Sequence, residues 1–112
     1  MSVTSVCLKE KEMKKDDFLT DVQLRKNILE HINGGTYRLS KHASEEQAKD
    51  DIDLSDTLHV LRTGVHEREK TSLDNKSQTW KYAIRGKTED LKNVRVIIAF
   101  TSEMMIITIM EL

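Results

Sequence analysis

The order of hydrophobic periods along the chain predicts an α+β fold, with N-terminal helices packed on one face of a C-terminal antiparallel sheet of three to five strands. Up to Gly64 the apolar residues recur at helical spacing. Beyond it they sit in β-branched and aromatic runs joined by short, turn-rich links. Consecutive strands with short links imply an antiparallel meander, and helices gathered ahead of them imply one covered face.

Residues 1–15 are polar, with four lysines in "KEKEMKK", and read as a flexible leader to a single domain over 16–112. Asp16 or Asp17 is a candidate N-cap for a helix that gathers Phe18, Val22, Leu24, Ile28, Leu29 and Ile32 on one side. "NGG" at 33–35 ends it, since Asn and Gly take the left-handed C-cap conformation readily. "TYRLS" follows as a short extended piece, and Ser40 caps a helix in "KHASEEQAKDD". Asp53 and Asp56 then form a capping arrangement ahead of a Leu54, Leu58, Leu61 stripe that stops at Gly64.

The strands expected next are "VHEREKT", "TWKYAIRGK", "VRVIIAFTS" and "MMIITIMEL". Alternation puts Trp80, Tyr82 and Ile84 with Val96, Ile98 and Phe100 under the helices. The opposite face carries Lys81, Arg85, Lys87, Arg95 and Thr108 over a floor of Ala83 and Ala99. In the last strand Met105, Ile107 and Ile109 alternate with Ile106, Thr108 and Met110. If "VHEREKT" is the neighbouring strand, His66, Arg68 and Lys70 share one of its faces and Glu67 and Glu69 the other.

A chain of 112 residues can bury one core without disulfides or metals to staple it. Its single cysteine, Cys7, forms no internal disulfide and supplies at most one thiolate, so a reducing cytoplasm is expected. The longest apolar run, "MMIITIM", is far below the roughly 20 residues that span a bilayer, and no membrane partner is expected. A net charge of −1 excludes a globally basic nucleic-acid binder. The charge is unevenly placed, however. Residues 65–95 hold eight Lys/Arg against five acids, and residues 40–57 hold two against six, so a +3 sheet region follows a −4 helical one. Such a separation can hold a phosphate backbone on one side while repelling it from the other. A charged outer sheet face also serves solubility and guards edges, which needs no ligand at all.

No P-loop, dinucleotide fingerprint, HExxH or paired CxxC is present, so neither a cofactor nor a metal is expected. His42 and Glu46, four apart on a helix, lack a third ligand fixed by spacing. Cleavage of RNA by its own 2′-hydroxyl needs neither metal nor protein nucleophile. It needs proton-transfer groups and cations against the phosphate. His66, Arg68, Lys70, Lys81, Arg85 and Arg95 can supply both, and histidine is the side chain suited to proton transfer near neutrality.

"YRLSKHASEEQAKDDIDLSDTLHVLRTG", "TWKYAIRGK" and "VRVIIAF…MMIITIMEL" together resemble a small bacterial toxin-like domain related to the RelE superfamily. The resemblance rests on His42, Ala43, Ile52, Gly64, Tyr82, Gly86 and Arg95 in their order. The last part of the chain is also similar to the sheet of the MqsR type of RNA-cleaving toxin. The resemblance implies a RelE-like fold, cleavage of mRNA on or off the ribosome, and inhibition by a cognate antitoxin. If that activity holds, His66, Lys70 and Arg85 are the expected catalytic residues and His42, Arg68, Lys81, Lys87 and Arg95 the expected RNA contacts. The chain departs from the pattern where arginines are usual four and eight residues after the histidine: Glu46 and Asp50 stand there. That departure favours a rival of another class, a non-catalytic module that keeps the scaffold and binds a protein or nucleic acid.

Overall fold

Hydrogen-bonding side chains at the helix starts set the frame of the molecule. The structure is a computed structural model that describes residues 18–112; the expected leader, Cys7 and the expected Asp16 or Asp17 cap lie outside them. Helix α1 (Asp21–Gly34) is capped by Thr20, which exchanges hydrogen bonds with Gln23 in a reciprocal box. Phe18 therefore precedes the helix rather than belonging to it, and Val22 points outward at 79% exposure. Gly35, at φ 70°, ends α1 as the "NGG" signal predicts. Strand β1 (Tyr37–Leu39) follows, and Ser40 Oγ accepts the Ala43 amide to start α2 (Lys41–Asp50). Asp53 and Asp56 form the reciprocal box that opens α3 (Leu54–Thr63). Thr57, Val60 and Leu61 turn inward from α3, while Leu54 is exposed; the inward stripe is thus rotated from the one the leucines alone suggest.

The sheet comprises β1, β2 (Val65–His66), β3 (Ser72–Asp74), β4 (Thr79–Lys87), β5 (Asn93–Phe100) and β6 (Met104–Glu111). Its order is β1-β6-β5-β4-β2, with β3 also paired to β4. The fold is α+β with three helices among the described residues, but the sheet has six strands rather than three to five and is mixed rather than purely antiparallel, because β1 runs parallel to β6. Short periodic runs carry no sign of pairing direction, so the sequence does not show this.

Two further expectations are corrected. "VHEREKT" is not one strand: a 3-10 turn (Arg68–Lys70) interrupts it between β2 and β3. Across the interruption, Glu67 N donates to Ala83 O at 2.8 Å and Ala83 N donates to the Thr71 hydroxyl at 3.1 Å. A side-chain oxygen thus replaces a missing ladder carbonyl, which keeps β4 satisfied. In β6, a register irregularity falls opposite Ile97/Ile98, so Val96 faces Ile109 whereas Ile98 faces Ile106. Met104, Ile106 and Ile109 consequently share the buried side, and Ile107 does not share a face with Ile109 as simple periodicity expects.

The core lies between the helices and one sheet face. Leu24, Ile28, Val60, Leu61, Tyr82, Ile84, Val96, Ile98, Ile106 and Ile109 fill it, with Trp80 and Phe100 packed at its margin. The alternation expected for β4 and β5 is what the register displays.

Candidate nucleic-acid interface

Arg85 of β4 and Arg95 of β5 are direct cross-strand partners on the sheet face away from the helices. Like charges so placed repel, and Glu67 resolves the conflict. Leaving β2 just after the inward-facing His66, Glu67 projects onto the outer face, where its carboxylate takes both Nε and Nη2 of Arg95 (Nη2–Oε2, 3.2 Å). Arg85 Nη1 stands 3.8 Å from Oε2. Hydrogen bonding to Arg95, reinforced by the charges of Arg95, Arg85 and Lys70, holds the Glu67 carboxyl below its ordinary value. The same carboxylate raises Arg95. Arg95 and Glu67 are 16% and 10% exposed, whereas Arg85 is 49% exposed and open to solvent.

Lys81 and Lys87 extend this face along β4 by the period-two rule, and Lys81 lies 3.7 Å from Asp74. Lys70 sits in the adjoining 3-10 turn, near enough for its charge to act on Glu67. Lys70, Lys81, Arg85, Lys87 and Arg95 are therefore brought to one region.

The other three expected residues are not. His66 pairs with Ile84 and faces the helices with only 4% of its side chain exposed. Its ring lies 5.8 Å from Phe18 and 5.7 Å from Tyr82. Arg68 turns toward the same side, over the Phe18 ring at 5.6 Å and 3.7 Å from Asp21. His42 is on α2, which flanks β6, and pairs with Glu46 at 3.3 Å. Register separates the first of these: His66 pairs with the inward Ile84, so alternation puts Glu67 among the arginines, and the 3-10 turn then breaks the alternation that placed Arg68 and Lys70 with His66.

His66 has partners that the sequence does not reveal. Nδ1 is 2.9 Å from Asp21 Oδ1 and Nε2 is 2.8 Å from Thr71 Oγ1. His66, then Arg68, holds Asp21 below its ordinary value; Asp21 is thus ionised near neutrality, and Nδ1–H donates to it. In the neutral ring Nε2 accepts the Thr71 proton. In the imidazolium Nε2 donates, and the hydroxyl turns to Glu67 O, 3.1 Å away. The carboxylate–imidazole–hydroxyl order resembles a hydrolase triad. Its burial is reversed, however: Asp21 is 64% exposed, and the Thr71 oxygen already receives the Ala83 amide. This chain of bonds fastens the start of α1 to the β2–β3 edge. Asp21 lies 45 residues from His66, and no local signal in the sequence joins them.

A cleft of about 210 Å³ opens beside Asp21, Arg25 and His66, and a shallow groove of about 490 Å³ runs past Trp80, Tyr82 and Phe100; neither is lined by the outer-face cations. Trp80 Nε1 is buried without a hydrogen-bond partner, and the Phe18 ring meets the indole edge-on at 4.8 Å. Among the described residues no cluster of His, Cys, Asp and Glu suited to a metal occurs, and no helix is long and apolar enough to cross a membrane.

The fold and this face define a class: a small α+β domain with helices on one side of its sheet and a cationic patch on the other. The chain belongs to the family described as "Domain of unknown function (DUF4258)", whose model matches residues 39–111. No curated protein and no solved structure matches the chain.

Proposed function

We propose that this chain is an RNA-binding domain of the RelE-related, MqsR-like toxin kind that it resembles, and that it holds the phosphates of single-stranded RNA on its open sheet face. The observation that carries this reading is the cross-strand Arg85–Arg95 pair on that face, extended along β4 by Lys81 and Lys87. The open Arg85 fork and the ammonium groups along β4, beside an Arg95 fork that Glu67 holds, match a backbone whose charges repeat. The acidic stretch over 40–57 lies on the helical part of the chain and repels the same polyanion.

Cleavage of the bound strand is the second reading: as the 2′-oxygen attacks phosphorus and gives its proton to water, Arg85 can stabilise the charge on the phosphate and Lys70 can protonate the departing 5′-oxygen. The inward position of His66, tied at both ring nitrogens, favours binding over cutting. Under either reading the protein acts in the cytoplasm and is restrained by a cognate antitoxin.

Titration of a labelled single-stranded RNA over a range of salt tests the binding. Arg85→Ala should weaken it and lower the log–log salt slope by about 0.7. Salt-independent or absent binding overturns the reading. Induction in bacteria with an RNA-integrity readout separates the two versions. Intact RNA and unchanged growth remove cleavage, whereas arrest relieved by Lys70→Ala supports it.

A further inference from the structure

We infer that the Glu67 carboxylate occupies a two-arginine anion site as an internal substitute for phosphate, and that a phosphate of a bound strand displaces it. The inference rests on the reading that this face binds RNA, and it adds how the site is kept closed. Arg85 and Arg95 are directly opposed across two strands, where like charges repel and an anion between them relieves the repulsion. Glu67 supplies two oxygens in the fork geometry by which arginine takes carboxylate or phosphate alike.

The carboxylate can leave without unfolding its surroundings. The Glu67 amide stays on Ala83 O, and the Glu67 carbonyl stays within reach of Lys70 N and the Thr71 hydroxyl. Only the side chain has to swing, and the half-exposed Arg85 opens the site to solvent on one side. Because Glu67 is held below its ordinary value, mild acid does not release it; a competing anion must.

RNA affinity and its salt slope should be measured for the natural protein, Glu67→Gln, Glu67→Asp and Glu69→Gln. Glu69→Gln removes the same charge from the same turn, so it reports simple electrostatics. Glu67→Asp keeps the charge but shortens the reach to Arg95. Glu67→Gln is expected to bind more tightly than Glu69→Gln, and Glu67→Asp more tightly than the natural protein, with a slope steeper by about 0.7 for each phosphate gained. Equal affinities for Glu67→Gln and Glu69→Gln, or a Glu67→Asp no tighter than the natural protein, overturn the internal-substitute role while leaving RNA binding intact. If none of the four binds RNA, the RNA reading fails. Inorganic phosphate then reads the anion site alone: Glu67→Gln should gain a saturable rise in melting temperature that Glu69→Gln lacks, and no such rise overturns the site.

Discussion

Glu46 Oε1 accepts the main-chain N–H of Ile109 at 3.0 Å, so a helix carboxylate serves the edge of β6 just beyond Ile106, where β1 stops. Asp50 Oδ2 does the same for Glu111 N at 3.4 Å. Four residues of helix and two of strand each advance roughly 6–7 Å, which lets carboxylates at i and i+4 meet amides at i and i+2. These are the two positions where the toxin-like pattern usually has arginine, a side chain with donors only. Glu46→Arg should therefore lower unfolding stability by about 1–3 kcal/mol in urea, as an edge amide loses its acceptor. Glu45→Arg, on the exposed side of the same helix, should stay within about 0.5 kcal/mol.

Gly64 and Gly86 let α3 and β4 touch through bare backbone. A Cβ on Gly64 would stand 2.6 Å from both Val60 O and Arg85 O, and one on Gly86 would stand 3.0 Å from Gly64 Cα. Since Gly64 has an extended backbone (φ −77°, ψ 178°), close approach rather than a left-handed conformation demands glycine here. Gly64→Ala should cost about 1–3 kcal/mol or more by chemical denaturation, because backbone must move to admit the methyl. It should also disturb Arg25, whose guanidinium donates to Gly64 O at 3.0 Å.

Thr71→Val keeps the shape of the turn but removes the oxygen that receives Ala83 N and contacts His66. A loss of about 1–3 kcal/mol is expected, the cost of stranding a partly buried donor. Hydrogen exchange should show the Ala83 amide exchanging faster than in the natural protein, with Tyr82 and Ile84 affected less.

Acid should weaken the fold in a defined direction. Glu67 and Asp21 both titrate lower when folded than their ordinary values of 4.5 and 3.8. The unfolded chain therefore binds more protons in that range, and the stabilisation is fully present above those values. It declines as pH falls through and below about 4.5. Melting curves between pH 7 and pH 3 should show this decline, with a smaller one in Glu67→Gln. An unchanged slope in that variant contradicts the account of Glu67.

Local chemistry was legible in the sequence; long-range pairing was not. Ser40, the Asp53–Asp56 box and the "NGG" stop are read from a few adjacent residues, and each does in the structure what those residues dictate. The faces of β4 and β5 follow from strict alternation, which puts Arg85 and Arg95 on one side. The 3-10 turn carries no Pro or Gly to announce it, and the register that sets His66 opposite Ile84, and so Glu67 beside the arginines, has no local sign in the sequence. Thr20 displaced the expected aspartates as the α1 cap because Gln23 stands three residues on to complete its box. The parallel β1 depends on contacts across more than sixty residues, as when Ser40 Oγ donates to Ile107 O.

Because β1 is zipped to β6, synthesis itself delays completion of the molecule. Tyr37 emerges from the ribosome long before Met104, its partner in the sheet, exists. α2 likewise waits for the β6 amides that Glu46 and Asp50 receive. The β4–β5 hairpin can assemble from near neighbours during translation, yet one sheet margin stays open until the final strand arrives. A nascent chain halted before residue 104 would thus expose a ready edge on β5 to other chains.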